Sequence, residues 1–417
     1  MKIVFKRTTP SYRNSLSTKQ IMFEFTIALL VIIICSLVYN FSLGVSYGIK
    51  VITMLLTSIV SSYICEALYF YLTKEKNIVK SLKNSFGYVT AILFALILPI
   101  GTPHYVIVLG SIFAILVGKM LFGGFGQNIF NPALVGRVFV MMSYASKLKS
   151  DLPTSGSDVL SKATPTTILA SSNWITETLS LKDLYLGNYS ASIGETFAFV
   201  ILIIGVVLSI RKIIDWRLPL FYLSTTFLIA LSVAISQGLP VINFPLAQIG
   251  IGGLAFGAIF MLTDPVTSPT SPLGKIIFAI GAGFFTMLFR YKSNMPEGVL
   301  YSILIMNMLT PMIDKYTSYP TNKNKTKQIS FICLLMLLAI IIIIPISNIS
   351  FGVSYPKFKN SRVEEVKKWC DSSIVKERNI TCKFDENIND GSIIEKDPVK
   401  PNTILKRNVI LNFKIKK

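Results

Sequence analysis

The chain has 417 residues, of which 52% are hydrophobic and 15% are charged, and its mean hydropathy is +0.60. This composition excludes an ordinary water-soluble domain of that length and indicates a polytopic membrane protein. The net charge of +20 lies in loops between apolar runs, so membrane topology and anionic lipid explain it better than nucleic acid. One histidine and five cysteines without a CxxC pair argue against a histidine-rich metal site, a zinc ribbon or an iron–sulfur cluster held by this chain alone.

Apolar runs of about 20 residues predict an all-α membrane fold with ten or eleven transmembrane segments. The predicted spans are 21–41, 49–72, 86–101, 104–122, a broken span at 128–145, 193–210, 218–236, 246–262, 275–290, 298–313 and 329–346. The first run is too long for a signal peptide, and no small-residue cleavage site follows it.

The distribution of lysine and arginine predicts which side of the membrane each loop occupies. With eleven spans, all four basic clusters fall on one side, which we assign as cytoplasmic. These clusters lie at 2–19, 74–83, 211–217 and 315–327. The same count predicts a cytoplasmic N-terminus (1–20), a cytoplasmic linker (319–328), an extracytoplasmic loop (146–192) and an extracytoplasmic tail (347–417).

Two segments interrupt their helices in the same style, which predicts two structural repeats. One reads GGFGQNIFNPALVGR (123–137) and the other GGLAFGAIFMLTDPVTSP (252–269). Proline ends a helix, and backbone groups freed inside hydrocarbon have to line a cavity or another protein surface. Paired broken helices in two halves point to a binding site near the membrane midplane. The alternative is that small-residue, proline-broken helices simply pack tightly.

The loop 146–192 contains the sequence DVLSKATPTT (158–167), which by itself is a Ser/Thr-rich turn. The pattern D-x-x-S-x-A-T resembles the flavinylation site of the RnfD/NqrB family, which contributes membrane subunits to the Rnf complex and to the sodium-translocating NADH:quinone reductase. The resemblance implies FMN joined through its phosphate to Thr164 by a separate flavin transferase. Asp158, Ser161 and Ala163 match the recognition residues. Lys162 stands where the family usually has glycine. This lysine could pair with the phosphate. Alternatively, it resists backbone conformations that glycine permits, which would leave a scaffold that has lost the flavin.

Further segments carry the same resemblance, in the family's order, over residues 21–318. They read GQNIFNPALVGRVF, SIGETFAFVILIIG, DWRLPL, MLTDPVTSP and MPEGVLYSILIMNMLTPMID. The resemblance implies an electron-transfer subunit of a complex that moves electrons between ferredoxin and NAD, coupled to sodium or proton transport. Its implied partners are the other membrane and flavoprotein subunits of that complex, and membrane lipid surrounds it.

Two other interpretations of the membrane domain stay open. The NqrB subunit of the quinone reductase normally has a longer N-terminal extension than the 20 residues before Ile21 in this sequence, which favours the Rnf complex. The broken-helix repeat also resembles the urea-transporter architecture, which suggests a channel or transporter without flavin. The DVLSKAT loop argues against a channel, because a channel does not need it.

Several residues in and near the spans are candidates for holding a cofactor. The backbone N–H groups of Gly194, Glu195 and Thr196 are expected to open a helix, where they either face a flavin or cap that helix. Arg137 lies inside a span, where it either pairs with a polar cofactor or reaches the membrane interface.

The two broken segments supply the remaining candidates. The resemblance implies that Thr263 and Asp264 hold a second, noncovalent flavin such as riboflavin, and Asn131 in the first segment is a further candidate for cofactor binding. Unwound carbonyls beside Asp264 could equally coordinate an ion, or Asp264 could be a satisfied turn residue.

The segment after the membrane domain is a departure from the family. It adds a span at 329–346 and a tail that predicts a small α+β domain with strands in NITCKF, GSIIEK and NVILNFKI. This tail weakly resembles a PASTA module of cell-wall proteins. Cys370 and Cys382 could pair if the tail lies in an oxidising space, and free thiols are an equal alternative.

Overall fold

The computed structural model describes residues 17–148, 181–187, 189, 191–237, 240–292, 298–317, 325–350 and parts of the tail between 353 and 416. Helices dominate the part before the tail. They are α1 (Thr18–Leu43), α2 (Val45–Leu72), α3 (Ile78–Ser85), α4 (Gly87–Leu96), α5 (His104–Leu116), α6 (Pro132–Ser143), α7 (Leu181–Leu186), α8 (Ala198–Ile210), α9 (Arg217–Gln237), α10 (Asn243–Gly250), α11 (Leu254–Phe256), α12 (Pro272–Lys292), α13 (Gly298–Thr317) and α14 (Lys325–Ser350).

The helices have the length and composition of a membrane protein. Within the described residues, five helical segments are long and apolar enough to cross a bilayer: α1, α2, α5 with its short extension to Phe122, α9 and α12. The pair α10 and α11, continued by a π-helical turn (Gly257–Met261), passes the same test as one span bent by 68°. The polytopic membrane character predicted from composition is confirmed.

The first half contains a helix break that the sequence analysis did not predict. A continuous span was expected over 86–101, but α4 ends at Leu96 and the chain runs on without helix to Pro103. Carbonyl groups of this stretch accept hydrogen bonds from a second non-helical stretch: Leu96 from the Gly194 N–H (2.7 Å) and Leu98 from the Ile193 N–H (3.1 Å). Backbone groups released by one break are therefore satisfied by the other, as hydrocarbon surroundings require.

This pairing also corrects the predicted start of the next helix. The span expected at 193–210 becomes helical only at Ala198, so Gly194, Glu195 and Thr196 precede α8 and do not open it. A β-carbon at Gly194 would lie 2.7 Å from the β-carbon of Leu96, so the two segments approach this closely only with glycine there.

The two segments that were predicted to be broken lie side by side. Residues 123–131 run without α-helix to Pro132, the first residue of α6, and Asn131 caps that helix by accepting a hydrogen bond from the Ala133 N–H (3.1 Å). Its side-chain amide reaches the Met261 carbonyl, at the end of the π-helical turn, with an N–O distance of 3.4 Å. The largest apolar core surrounds this contact and includes residues of α1, α4, α6, α8 and α13.

The tail forms the small α+β unit that the sequence predicts. Helix α15 (Val363–Cys370) packs beside a sheet in which β5 (Ile410–Lys416) is central, parallel to β2 (Thr381–Phe384) and antiparallel to β3 (Ile393–Lys396). A separate antiparallel pair joins β1 (Val353–Ser354) and β4 (Ile404–Leu405). The apolar core of the tail includes Val366, Leu411 and Phe413. A disulfide between Cys370 and Cys382 links α15 to β2.

The thiol count of the chain tests this disulfide. We expect the unfolded, unreduced chain to react with maleimide at Cys35, Cys65 and Cys333 alone, because the two tail cysteines are bonded. Reduction before labelling should add Cys370 and Cys382, as counted by intact-mass measurement. Labelling of all five cysteines without reduction would contradict the structure of the tail.

Candidate functional site

A cavity lies where the two broken segments meet the start of α1 and the start of α4. Its volume is about 60 Å³, enough for a few water molecules, and one side is open. Four aromatic rings contribute to its wall: Phe25, Phe86, Phe125 and Phe260. The polar residues on the wall include Lys119, Asn128, Asn131, Thr263 and Asp264. The cavity thus combines a mostly apolar, aromatic wall with a few convergent polar groups, the pattern of a small-molecule site.

Three of the predicted site residues line this cavity: Asn131, Thr263 and Asp264. The Thr263 hydroxyl donates to the Ile259 carbonyl (2.5 Å), so its oxygen remains able to accept a hydrogen bond from a ligand. The Asp264 carboxylate accepts from the Val266 N–H (3.1 Å) and from the Thr267 hydroxyl (3.3 Å). Asp264 therefore makes the turn contacts that one alternative predicted, and it also lines the cavity.

A buried ion pair supports the cavity from the side of α2. The Lys119 ammonium lies 2.7 Å from the Glu66 carboxylate and 2.6 Å from the Ser85 carbonyl, and the Ser85 hydroxyl also donates to Glu66 (2.9 Å). Lys119 and Glu66 are 2% and 0% exposed, so neither charge could remain there without the other. A β-carbon at Gly87 would collide with the Glu66 carboxylate, which accounts for glycine at the start of α4.

Lys119 was missed by the sequence analysis, although a signal was present. It is the one basic residue in the predicted span 104–122, and an isolated cation in an apolar helix generally has a buried partner. Its partner could not be chosen from the sequence, because Glu66 lies far earlier in the chain and only the packing of α2 against α5 brings the two together.

A second cluster of polar residues lies at the break between α10 and α11, and it includes the candidate Glu195. Arg290 on α12 is buried, and its guanidinium donates to the carbonyls of Gln248 (2.5 Å) and Ile251 (2.8 Å). The Tyr189 hydroxyl donates to the Gly250 carbonyl at 3.1 Å. The last carbonyls of α10, which have no partner within the helix, are thus satisfied by side chains.

Glu195 lies at the other side of the same break. Its side chain is buried against Gly253, where a β-carbon would collide with the carboxylate. Glu195 and Arg290 share the wall of a cavity of about 10 Å³. The cation therefore lies at the C-terminal end of α10 and the carboxylate lies near the N-terminal end of α11, each at the helix end that favours its charge.

The backbone N–H groups at 194–196 were predicted to face a flavin or to cap a helix, but two of them donate to other carbonyl groups of the chain. The Gly194 N–H donates to Leu96, and the Glu195 N–H donates to the Ser192 carbonyl at 3.1 Å. The helix that these groups were expected to open begins at Ala198, with Phe197 at the cap position. Gly194, Glu195 and Thr196 thus lie at the interface of the two breaks, away from the cavity that Asn131, Thr263 and Asp264 line.

Two other predictions concern residues elsewhere. Arg137 is buried on α6, 2% exposed, so the snorkelling alternative is wrong for this residue. The motif residues Asp158, Ser161, Ala163 and Thr164 lie outside the described part of the chain.

In the part of the chain that the structure describes, apolar helices of membrane-spanning length, two adjoining discontinuous segments and a polar–aromatic cavity define a polytopic membrane protein with broken helices. Comparison with known proteins identifies the family. Residues 6–323 match the model of the NQR2, RnfD, RnfE family, and the chain belongs to this family.

Individual relatives give the same result. The chain is 35% identical over 319 residues to the D-subunit of the proton-translocating ferredoxin:NAD(+) oxidoreductase complex of Clostridium ljungdahlii, covering 74% of this chain and 93% of that protein. It is 36% identical over 312 residues to the D-subunit of the Na(+)-translocating ferredoxin:NAD(+) oxidoreductase complex of Acetobacterium woodii, covering 74% and 92%. It is also 35% identical over 251 residues to the B-subunit of the Na(+)-translocating NADH-quinone reductase of Chromohalobacter salexigens, covering 59% and 61%.

The role of Arg290 at the helix break can be tested by substitution. Arg290→Met keeps most of the side-chain volume but leaves the carbonyls of α10 without donors and the Glu195 charge without its buried cation. We expect a loss of roughly 3 kcal/mol in the free energy of unfolding, measured as a lowered melting temperature in detergent. Arg290→Lys, which keeps the charge but not the planar fork, should lose less.

Arg211→Met is the matched control for this substitution. Arg211 is 60% exposed and pairs with Glu24 at 2.6 Å, and exposed pairs contribute little to stability. Equal melting temperatures for Arg290→Met and Arg211→Met would refute the role of Arg290 in stabilising the helix break.

Proposed function

We propose that this chain is a flavin-carrying electron-transfer subunit of an ion-translocating Rnf-type complex that couples ferredoxin and NAD⁺ oxidoreduction to Na⁺ or H⁺ movement. The observation that carries the proposal is the match of residues 6–323 to one family, together with the cavity that the family's two broken-helix segments build. As a single subunit, the chain contributes a relay within the complex, and the other membrane and flavoprotein subunits are its partners.

The Rnf-type assignment has a specific support over the quinone reductase. The chain covers 93% and 92% of the two relatives from ferredoxin:NAD(+) oxidoreductase complexes but only 61% of the relative from the quinone reductase. The quinone reductase remains the second candidate, because the identity to its subunit is also 35%. Ferredoxin-dependent NAD⁺ reduction by membranes that contain the assembled complex, without quinone reduction, is the expected distinction.

The first proposed cofactor is covalent FMN on Thr164. The motif DVLSKAT supports it, since Thr164 supplies the hydroxyl and Asp158, Ser161 and Ala163 match the residues that a flavin transferase would recognise. Bound flavin accepts and releases one or two electrons, and the protein's task is to position it and tune its potential.

The second proposed cofactor is a noncovalent flavin, riboflavin, in the cavity of the two broken segments. Its support is the residue set: phenylalanine rings suit a flat ring system, while Asn128, Asn131, Thr263 and Asp264 offer both donors and acceptors to a polar ring edge. Because the space is about 60 Å³, the lining side chains have to separate, or the ligand has to extend through the open side, for a flavin to enter. Lys119 adds an ammonium group to the wall, and its charge is neutralised by Glu66.

We further propose a topology with a cytoplasmic N-terminus and an extracytoplasmic loop (146–192) and tail (347–417). Basic clusters on the opposite side support it. The disulfide between Cys370 and Cys382 supports it independently, since structural disulfides persist in oxidising compartments. Two repeats, each with one broken segment, would then place the cavity and the second break between the halves.

The acceptor hydroxyl is tested with the variant Thr164→Val. Wild-type chain co-produced with a flavin transferase should fluoresce under ultraviolet light on a denaturing gel, and Thr164→Val should lose that signal because it lacks the hydroxyl. Thr167→Val, which removes a nearby hydroxyl of the same loop, is the control and should keep the fluorescence. A fluorescent Thr164→Val band would rule out Thr164 as the attachment site.

The second flavin is tested with the variant Thr263→Val. Removing the hydroxyl takes one hydrogen-bonding group from the cavity, so we expect about tenfold weaker retention of noncovalent flavin. This retention is measured as the amount of flavin released on denaturation, divided by the amount of flavin that stays covalently attached. Thr226→Val removes a buried hydroxyl that also bonds to its own helix, to the Tyr222 carbonyl at 3.1 Å, but outside the cavity. Equal retention in both variants would count against this cavity as the site.

A further inference from the structure

A second pocket adjoins the cavity of the two broken segments and has a different chemistry. It lies between the end of α8, the start of α9 and the loop after the π-helical turn, and its volume is about 390 Å³. Lys212, Asp215, Arg217 and Lys275 line it together with Trp216. Thr263 lies in the wall of both spaces, but the charged residues of this pocket have no part in the proposed function.

The charges of the pocket leave an excess of positive charge. Asp215 lies 2.9 Å from the Lys275 ammonium and 3.1 Å from the Arg217 guanidinium. Burial raises the pKa of Asp215, but the hydrogen bonds and charges of Lys275 and Arg217 outweigh burial, so the pKa is held below its usual value and the carboxylate is ionised at neutral pH. One carboxylate thus faces three cations.

Lys212 is the cation without a counter-charge. It is exposed, and within the described part of the chain no carboxylate forms an ion pair with it. Its backbone has a φ of +58°, in the left-handed region that ends a helix, so the side chain leaves α8 at the pocket rim. A negatively charged ligand would meet a cation that does not have to leave another partner first.

The position of the pocket points to the membrane interface. Two apolar helices end there, and Trp216 is 50% exposed with the Arg217 guanidinium 5.3 Å from its ring centre. Tryptophan with an adjoining cation is typical of the headgroup level of a bilayer. On α8, Val206, Val207 and Ile210 are exposed by 59%, 49% and 75%, which provides an apolar surface leading away from the pocket.

We propose that this pocket binds the phosphate headgroup of an anionic phospholipid, with the acyl chains along the exposed face of α8. The cations attract the phosphate, and the apolar face of α8 favours a lipid over a free phosphate ion, which would gain nothing from it. Lys212 is the residue expected to contact the phosphate without first leaving another ion pair. The inference does not depend on flavin binding or on the partners of the complex.

The test measures lipid binding to the purified full chain by native mass spectrometry. Phosphatidylglycerol and phosphatidylcholine are titrated separately into wild type, Lys212→Gln and Lys74→Gln. Lys74 is the matched control, because it is also an exposed lysine after a helix end, with a φ of +55°, and its loss changes the net charge equally.

We expect wild type to bind one phosphatidylglycerol in preference to phosphatidylcholine, and Lys212→Gln to weaken that binding about fivefold. Lys74→Gln should leave it unchanged. Equal affinities for the two lipids, or equal effects of the two substitutions, would overturn the proposal. Displacement of phosphatidylglycerol by millimolar inorganic phosphate would also overturn it, since the pocket would then be a soluble-anion site.

Discussion

The structure depends on one constraint: a backbone N–H or C=O group inside hydrocarbon costs several kcal/mol unless it has a hydrogen-bond partner. Among the described residues, α4 and α10 stop inside the apolar region, and their two breaks are resolved differently. The carbonyls after α4 accept from the backbone of 193–194, whereas the last carbonyls of α10 accept from Arg290 and tyrosine side chains. These contacts hold the discontinuous segments in fixed positions, and fixed positions are what a cofactor site requires.

The same constraint explains why the charged residues are arranged as pairs around the breaks. Arg290 compensates the C-terminal end of α10 and Glu195 lies near the N-terminal end of α11, while Lys119 and Glu66 neutralise each other beside the cavity. Arg290 fills the space among the carbonyls at the second break, where the remaining cavity is about 10 Å³. The cavity with Asn131 and Asp264 is larger, at about 60 Å³.

Sequence reasoning predicts the parts of this architecture that rest on local chemistry. Apolar run length predicted the membrane character, and Asn-Pro and Asp-Pro marked the segments that meet at the cavity. The break after Leu96 was missed although Pro99 marks it, because the apolar character of the run 86–101 outweighed the proline; the pairing with 192–194 shows that the run is not helix throughout. Lys119 and Arg290 were missed as site residues because their roles depend on partners far away in the chain, on α2 and α10.

Two kinds of observation support the proposed function of this chain. Family membership is shown over residues 6–323, and it gives the class of complex in which this chain works. The structure adds a reason for the broken segments, a cavity with suitable polar groups and a tail fixed by a disulfide. The tail follows the family region, and its described residues form an apolar core of their own.

The central claim, that this chain carries a flavin for electron transfer, is tested most directly by peptide mass spectrometry. The chain would be produced together with an active flavin transferase, digested, and the peptide containing Thr164 examined. The account predicts that this peptide carries the added mass of FMN bonded through phosphate at Thr164. An unmodified Thr164 peptide, while a control substrate in the same cells is flavinylated, would contradict the account.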